Sequence, residues 1–117
     1  MQTPFTTLGT SLEGDLFLDL TTRTVYATDA SIYREVPAAV AYPKNTGDII
    51  TLIHFAKENS LSLIPRTAGT SLAGQVVGPG IVVDVSRYMN RILEVNVAER
   101  YVWVEPGVIL DELNAEL

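Results

Sequence analysis

Pro65-Arg66-Thr67-Ala68-Gly69-Thr70-Ser71-Leu72-Ala73-Gly74-Gln75 is the stretch on which the reading of this chain turns. It directly follows Leu61-Ser62-Leu63-Ile64, a short apolar run that reads as a strand. Small residues after a strand let consecutive backbone N–H groups approach and converge on an anion. Thr67, Thr70 and Ser71 add hydroxyl donors, and between Leu61 and Val83 the only charged side chain is Arg66. No carboxylate within that span repels a phosphate. Residue types alone leave two readings open: a phosphate cradle, or a glycine-rich connection that holds nothing.

Familiar phosphate loops fail on spacing. Gly69 and Gly74 are separated as in a Walker loop, but Gln75-Val76 stand where Lys and Ser or Thr are required. No G-x-G-x-x-G is present, which argues against a nicotinamide-type turn.

Upstream of the loop, Ala38 to Tyr42 reads as a short buried strand. Thr46 is a plausible N-cap for a helix that runs to Asn59-Ser60, with Asp48 in its first turn favouring the helix dipole. Ile49, Leu52, Ile53 and Ala56 fall on one face of that helix. Strand, helix and strand make a βαβ unit, which predicts parallel strands and a right-handed crossover. The first third is less regular: Phe5 to Leu12 suits a short helix, Gly14-Asp15 breaks it, Leu16-Phe17-Leu18 is a brief apolar run, and Ala27 to Ser31 is turn-prone.

Downstream, Ile81-Val82-Val83-Asp84-Val85 is a strand candidate interrupted only by Asp84. Leu93, Val95 and Val97 alternate with polar residues, and Tyr101 to Val104 returns across a turn near Ala98 to Arg100, which predicts a hairpin. After Pro106-Gly107, Leu110, Leu113 and Leu117 recur at helical spacing with no stop signal, so the chain reads as a truncated piece.

With 117 residues, 47% of them hydrophobic and 19% charged, the chain suits one globular unit with a substantial core. A net charge of −6 opposes broad attraction to nucleic acid, which is not expected as a partner. The absence of Cys excludes disulfides and thiolate metal sites and suits a reducing cytoplasm. No run approaches the ~20 apolar residues of a membrane span, so no transmembrane segment is expected. The expected location is cytoplasmic, with peripheral membrane attachment through a region outside the chain left open.

The loop closely resembles the pyrophosphate loop of FAD-linked oxidases of the vanillyl-alcohol oxidase type, especially their D-lactate dehydrogenase and glycolate oxidase branch. Asp29-Ala30-Ser31-Ile32-Tyr33 with Pro37, then Tyr42-Pro43, resemble that family's entry segment. Ile81 to Asp84 resembles the strand after its loop, and Val104-Glu105-Pro106-Gly107-Val108 the turn that approaches the flavin. The resemblance spans nearly all of the chain.

It implies an α+β fold, the N-terminal part of a two-subdomain FAD-binding domain with a small parallel βαβ sheet beside an antiparallel one. Residues 1–117 are read as one such portion, with the core from about 38 onward and 1–37 as an extension packed on it. The family's FAD pyrophosphate maps onto Arg66, Thr67, Ala68, Gly69, Thr70, Ser71, Leu72, Gly74 and Gln75, chiefly through backbone donors. Pro106 and Gly107 map near the flavin or its ribityl chain. Some relatives attach FAD through a His in this loop; Thr70 stands there instead, so noncovalent FAD is expected. The implied activity is oxidation of a D-2-hydroxy acid such as lactate or glycolate by hydride transfer to FAD. The substrate domain, the catalytic groups and an electron acceptor of unspecified kind are expected outside the chain. Alternatives are a noncatalytic nucleotide-binding module and an FAD-dependent reductase of cell-wall precursor synthesis.

Other residues favour plainer roles. His54 has no partner motif and reads as structural or surface. Tyr101 and Trp103 read as strand packing rather than flavin stacking. Asp84 either caps the neighbouring loop or faces the cofactor, the structural role being favoured. Asp29 is an ordinary turn residue as well as part of the entry segment. Glu105, Asp111, Glu112 and Glu116 read as a solvated acidic face.

Overall fold

In the computed structural model, which describes residues 4–72 and 74–117, apolar strands assemble into a four-stranded mixed sheet and a separate hairpin. The elements in chain order are α1 (Pro4–Ser11), β1 (Asp15–Phe17), α2 (Leu20–Val25), β2 (Ala39–Tyr42) and α3 (Thr46–Glu58). They continue with β3 (Leu63–Arg66), β4 (Ile81–Asp84), β5 (Ile92–Asn96), β6 (Tyr101–Val104) and α4 (Leu110–Glu116).

The sheet order is β1-β2-β4-β3. β2 and β3 each pair in parallel with β4, and β1 adds to β2 in antiparallel fashion. The expected parallel relation of β2 and β3 therefore holds, but β4 lies between them. Its all-buried Ile81-Val82-Val83-Asp84 suits the central place, because a strand flanked on both sides has no edge to expose to water.

The pleat sorts this sheet's side chains into two layers. Ala39, Ala41, Ile81 and Val83 face Leu52 of α3 and Leu8 and Leu12 near α1. Val40, Val82 and Ile64 point the other way, against Tyr26, Tyr42 and Val76. Burying Leu52 fully contributes roughly 1.5–3 kcal/mol, so α3 is held mainly by this face. Ile53, placed by periodicity on the same face, is 51% exposed.

Several boundaries differ from the sequence reading. The N-cap of α3 is Asn45, whose Oδ1 accepts the Asp48 N–H at 2.9 Å, so Thr46 is the first helical residue. Asp48 does more than meet the helix dipole. It is buried, and its carboxylate accepts N–H groups from Glu13, Gly14 and Lys44, each at 2.9 Å. One side chain thus joins the entry to β1, the end of β2 and the start of α3. β3 begins at Leu63 rather than Leu61 and runs on through Pro65 and Arg66, which places Arg66 at a strand end. The α2 helix was not anticipated; Asp19 caps it by accepting the Thr22 N–H at 2.8 Å.

The β5–β6 hairpin forms as expected. Its aromatic residues do not pack inward: Trp103 is 62% exposed, and its ring meets only the Tyr101 ring edge-on among the described aromatic contacts. Glu105 departs from the acidic-face reading. It is buried and receives the Arg91 Nε–H at 2.8 Å and the Arg91 backbone N–H at 3.0 Å, tying the end of β6 to the start of β5. That ion pair holds the Glu105 carboxyl below its usual range.

Candidate functional site

β3 and β4 end side by side, with Arg66 in register with Asp84, and the loop leaves from the carboxyl end of β3. In parallel sheets this is the end where ligands are taken up, because the loops there diverge and leave a crevice. The Val85 N–H donates to the Arg66 carbonyl at 3.0 Å, so the two chains stay together for one residue past the strands. Residues following Ser86 then turn back, and the hairpin returns the chain to the same place.

A cavity of about 280 Å³ opens there, lined by Pro65, Arg66, Thr67, Gly69, Thr70, Ser71, Val76, Val85 and Pro106. Pro106 thus joins the loop from some forty positions along the chain. Gly107 does not reach the cavity. It is buried with its N–H on the Met89 carbonyl at 2.7 Å, and a Cβ there would lie 2.3 Å from the Val85 carbonyl oxygen. Its lack of a side chain lets the hairpin close against the end of β4. Ala68, Leu72 and Gln75 are exposed, Leu72 at 81%, and none of them lines the cavity. Ala73 lies outside the described residues.

The loop's backbone has the features of an anion cradle. Gly69 and Gly74 take φ of +70° and +71°, the left-handed region in which glycine alone is unstrained. The N–H groups of Thr67, Ala68, Gly69 and Thr70 donate to no acceptor among the described residues. Consecutive unspent donors beside a left-handed glycine form a concavity suited to phosphate oxygens. Ser71 Oγ donates to Gln75 Oε1 at 2.7 Å and bridges the two ends of the turn.

Arg66 sits beneath the loop. Its Nη1 donates to the Tyr26 carbonyl at 3.3 Å, its guanidinium lies 5.0 Å from the Tyr26 ring centroid, and its Nε is buried without a partner among the described residues. A Cβ on Gly69 would stand 2.3 Å from Arg66 Nη2, so the guanidinium packs directly against that glycine. Asp84 is taken up structurally: it accepts the Tyr26 hydroxyl at 2.5 Å and the Ser86 N–H at 2.9 Å. Burial, reinforced by Asp84, raises the Tyr26 hydroxyl above its ordinary pKa, so it stays a donor. Tyr26, Val76 and Val85 were not singled out from the sequence. Val85 at a strand's carboxyl end was the available signal; Tyr26 carried none.

Larger hollows lie between α1 and α3, about 620 Å³ with His54 on its wall, and beside the β5–β6 turn, about 730 Å³. Neither carries a left-handed glycine or a buried cation. Among the described residues no three of His, Cys, Asp and Glu gather as a metal site, and no helix is long and apolar enough to cross a membrane.

Residues 37–117 match the family model described as FAD binding domain. The chain belongs to the FAD-binding domain family. Its cofactor is FAD, and the open amides, left-handed glycines and cation of the loop fit the diphosphate of that molecule.

Relatives and solved structures agree. The chain is 46% identical over 107 residues to D-2-hydroxyglutarate dehydrogenase of Pseudomonas putida, covering 89% of this chain and 11% of that enzyme. It is 34% identical over 104 residues to the mitochondrial D-lactate dehydrogenase (cytochrome) of Kluyveromyces lactis, covering 86% of this chain and 18% of that enzyme. With the glycolate oxidase subunit GlcD of Bacillus subtilis it shares 36% identity over 96 residues, covering 80% of this chain and 20% of that subunit. The chain therefore spans a fifth or less of these relatives. The fold superimposes on 6-hydroxy-D-nicotine oxidase of Arthrobacter nicotinovorans with a TM-score of 0.77 at 26% identity, covering 91% of this chain and 24% of that one. Alkyldihydroxyacetonephosphate synthase shares the fold, with a TM-score of 0.76 at 20% identity over 87% of this chain and 23% of that one.

Proposed function

We propose that this chain is the FAD-diphosphate-binding portion of a flavin-dependent oxidoreductase acting on a D-2-hydroxy acid. The observation that carries the cofactor half is the loop at the end of β3, where unspent N–H groups from Thr67 to Thr70 stand beside left-handed Gly69. Thr67 to Ser71 bind the diphosphate chiefly through backbone donors, with Leu72, Gly74 and Gln75 completing the turn and Arg66 supplying positive charge from below. Pro106 forms the wall of the cavity toward the flavin, and Gly107 holds that wall in place.

Bound FAD supplies the hydride acceptor, a chemistry that no side chain provides. The chain's own part is to hold the diphosphate and so fix where the flavin ring lies. Thr70 has no ring nitrogen to attach to the flavin, so FAD is held noncovalently at this loop.

The substrate half rests on relatives. Those at 42–46% identity are D-2-hydroxyglutarate dehydrogenases, while the lactate and glycolate enzymes stand at 34% and 36%. Within the D-2-hydroxy acids, the reading thus leans toward a dicarboxylic substrate, met by residues outside the chain. The cysteine-free composition suits the cytoplasm as compartment.

The test is a titration of the purified chain with FAD, followed by flavin fluorescence, with riboflavin as the control lacking the diphosphate. Saturable FAD binding that ADP competes away supports the reading. Equal, weak response to FAD and riboflavin overturns it. For the substrate, bleaching of the flavin bands by D-2-hydroxyglutarate in the whole protein is expected, and bleaching by neither it nor D-lactate refutes the assignment.

A further inference from the structure

Residues Ala27 to Glu35 precede the part of the chain that matches the FAD-binding domain, yet they close on the loop. The Glu35 N–H donates to the Ala27 carbonyl at 2.9 Å and Thr28 bridges Arg34 in antiparallel fashion, making a miniature hairpin. Asp29 shapes its tip: Oδ1 accepts the Ser31 N–H at 2.8 Å and also the Ser31 hydroxyl, and the Tyr33 N–H donates to Ser31 Oγ at 3.1 Å.

This hairpin meets the loop at separate points. The Ala30 N–H donates to the Gly69 carbonyl at 2.9 Å. The Tyr33 ring occupies the place of a side chain at position 74, where a built Cβ would lie 2.7 Å from its Cδ2. Asp29 Oδ2 and Arg66 Nε are both buried, and no ion pair within 4.0 Å joins the two side chains among the described residues. The Ser31 hydroxyl, then the backbone N–H groups of Ser31 and Val76 and, most weakly, the Arg66 charge hold the Asp29 carboxyl below its ordinary range.

A loop of small residues with unspent amides does not order itself readily, since glycine loses the most freedom on ordering. A carboxylate near an anion site is also costly unless a cation offsets it. Both points are answered if the hairpin is the loop's support and the Arg66 charge offsets that of Asp29.

We infer that Asp29 and Tyr33 are positioning residues of the cofactor site, acting through Arg66 and Gly74 to hold residues 66–75 in the shape that presents the Thr67 to Thr70 amides. The inference rests on the reading that this loop takes the FAD diphosphate. It makes the segment before the family domain a working part of the site.

The experiment uses the full chain and its Asp29→Asn, Tyr33→Ala and Tyr33→Phe variants. Asn keeps an oxygen for the Ser31 N–H while removing the charge, and Phe keeps the ring. Amide hydrogen exchange without ligand is measured over 67–76, with β2 and β4 as internal references, beside FAD and riboflavin affinity. In Asp29→Asn and Tyr33→Ala, loop exchange about tenfold faster with unchanged β2 and β4, and FAD affinity about tenfold lower, is expected. Tyr33→Phe should behave as the parent. Loop exchange and FAD affinity within about twofold of the parent in both variants overturns the inference. So does equal acceleration in β2 and β4, which makes the hairpin a general brace. If the parent itself fails to bind FAD, the proposed function falls while loop exchange alone still decides the support role.

Discussion

Replacing Gly69 by alanine sets two physical costs against each other at one atom. The first is backbone: φ is +70°, and a left-handed residue with a Cβ costs roughly 1–2 kcal/mol. The second is collision, because the new methyl would stand 2.3 Å from Arg66 Nη2 and 2.7 Å from its Cζ. Relief requires the guanidinium to move, which gives up its bond to the Tyr26 carbonyl and its place over the Tyr26 ring. A neutral-acceptor bond to a charged donor contributes about 1.5–3 kcal/mol and an exposed cation–π contact about 0.5–1 kcal/mol; the long 3.3 Å distance argues for the lower end. The total is roughly 3–4 kcal/mol, divided between folding stability and FAD affinity according to how far the empty loop relaxes. Urea unfolding of the apo chain and FAD titration together should recover that sum. Gly69→Asn separates the parts, since Asn tolerates the left-handed region but still collides with Arg66. An alanine variant within about 0.5 kcal/mol in stability and about twofold in FAD affinity would refute the assigned loop geometry.

Asp48→Ala strands the N–H groups of Glu13, Gly14 and Lys44, and a loss of roughly 3 kcal/mol or more in urea unfolding is expected, against under about 1 kcal/mol for Thr46→Ala. Glu105 gives a pH signature. Because Arg91 lowers its folded pKa below 4.5, its contribution is present above the unfolded value and lost as pH falls through the folded one. Wild type should therefore exceed Glu105→Gln in stability at neutral pH, with the gap closing as pH falls through and below the ordinary carboxylate range and shrinking in salt because Arg91 is exposed; a pH-independent gap argues against the pair. Denaturing the FAD-loaded chain in acid should release all flavin into solution, and a flavin-bearing peptide containing Thr70 would contradict noncovalent binding.

Much of the candidate loop's geometry was legible because it is local. Left-handed glycines, small neighbours, hydroxyls and one Arg all fall within Pro65 to Gln75, where sequence order is spatial order. The helix α3 and the apolar strands were legible for the same reason: periodicity is a property of neighbouring residues. Asp48 illustrates the limit. Its position in a first helical turn predicts only a dipole contact, whereas its buried role depends on Glu13 and Gly14 arriving from 35 and 34 positions away. Glu105 likewise reads as one of several acidic residues until the hairpin brings Arg91 against it.

The amino-acid sequence by itself determined the strand-loop-strand around Gly69 and Gly74 and the absence of carboxylates from 67 to 83, because backbone freedom and local charge need no distant partner. Only the tertiary structure decided that β4 enters between β2 and β3, that Pro106 walls the cavity while Gly107 packs behind it, and that Ala30 and Tyr33 lean on the loop. Those outcomes depend on which distant surfaces gain most by leaving water together, a comparison that no single stretch of chain contains.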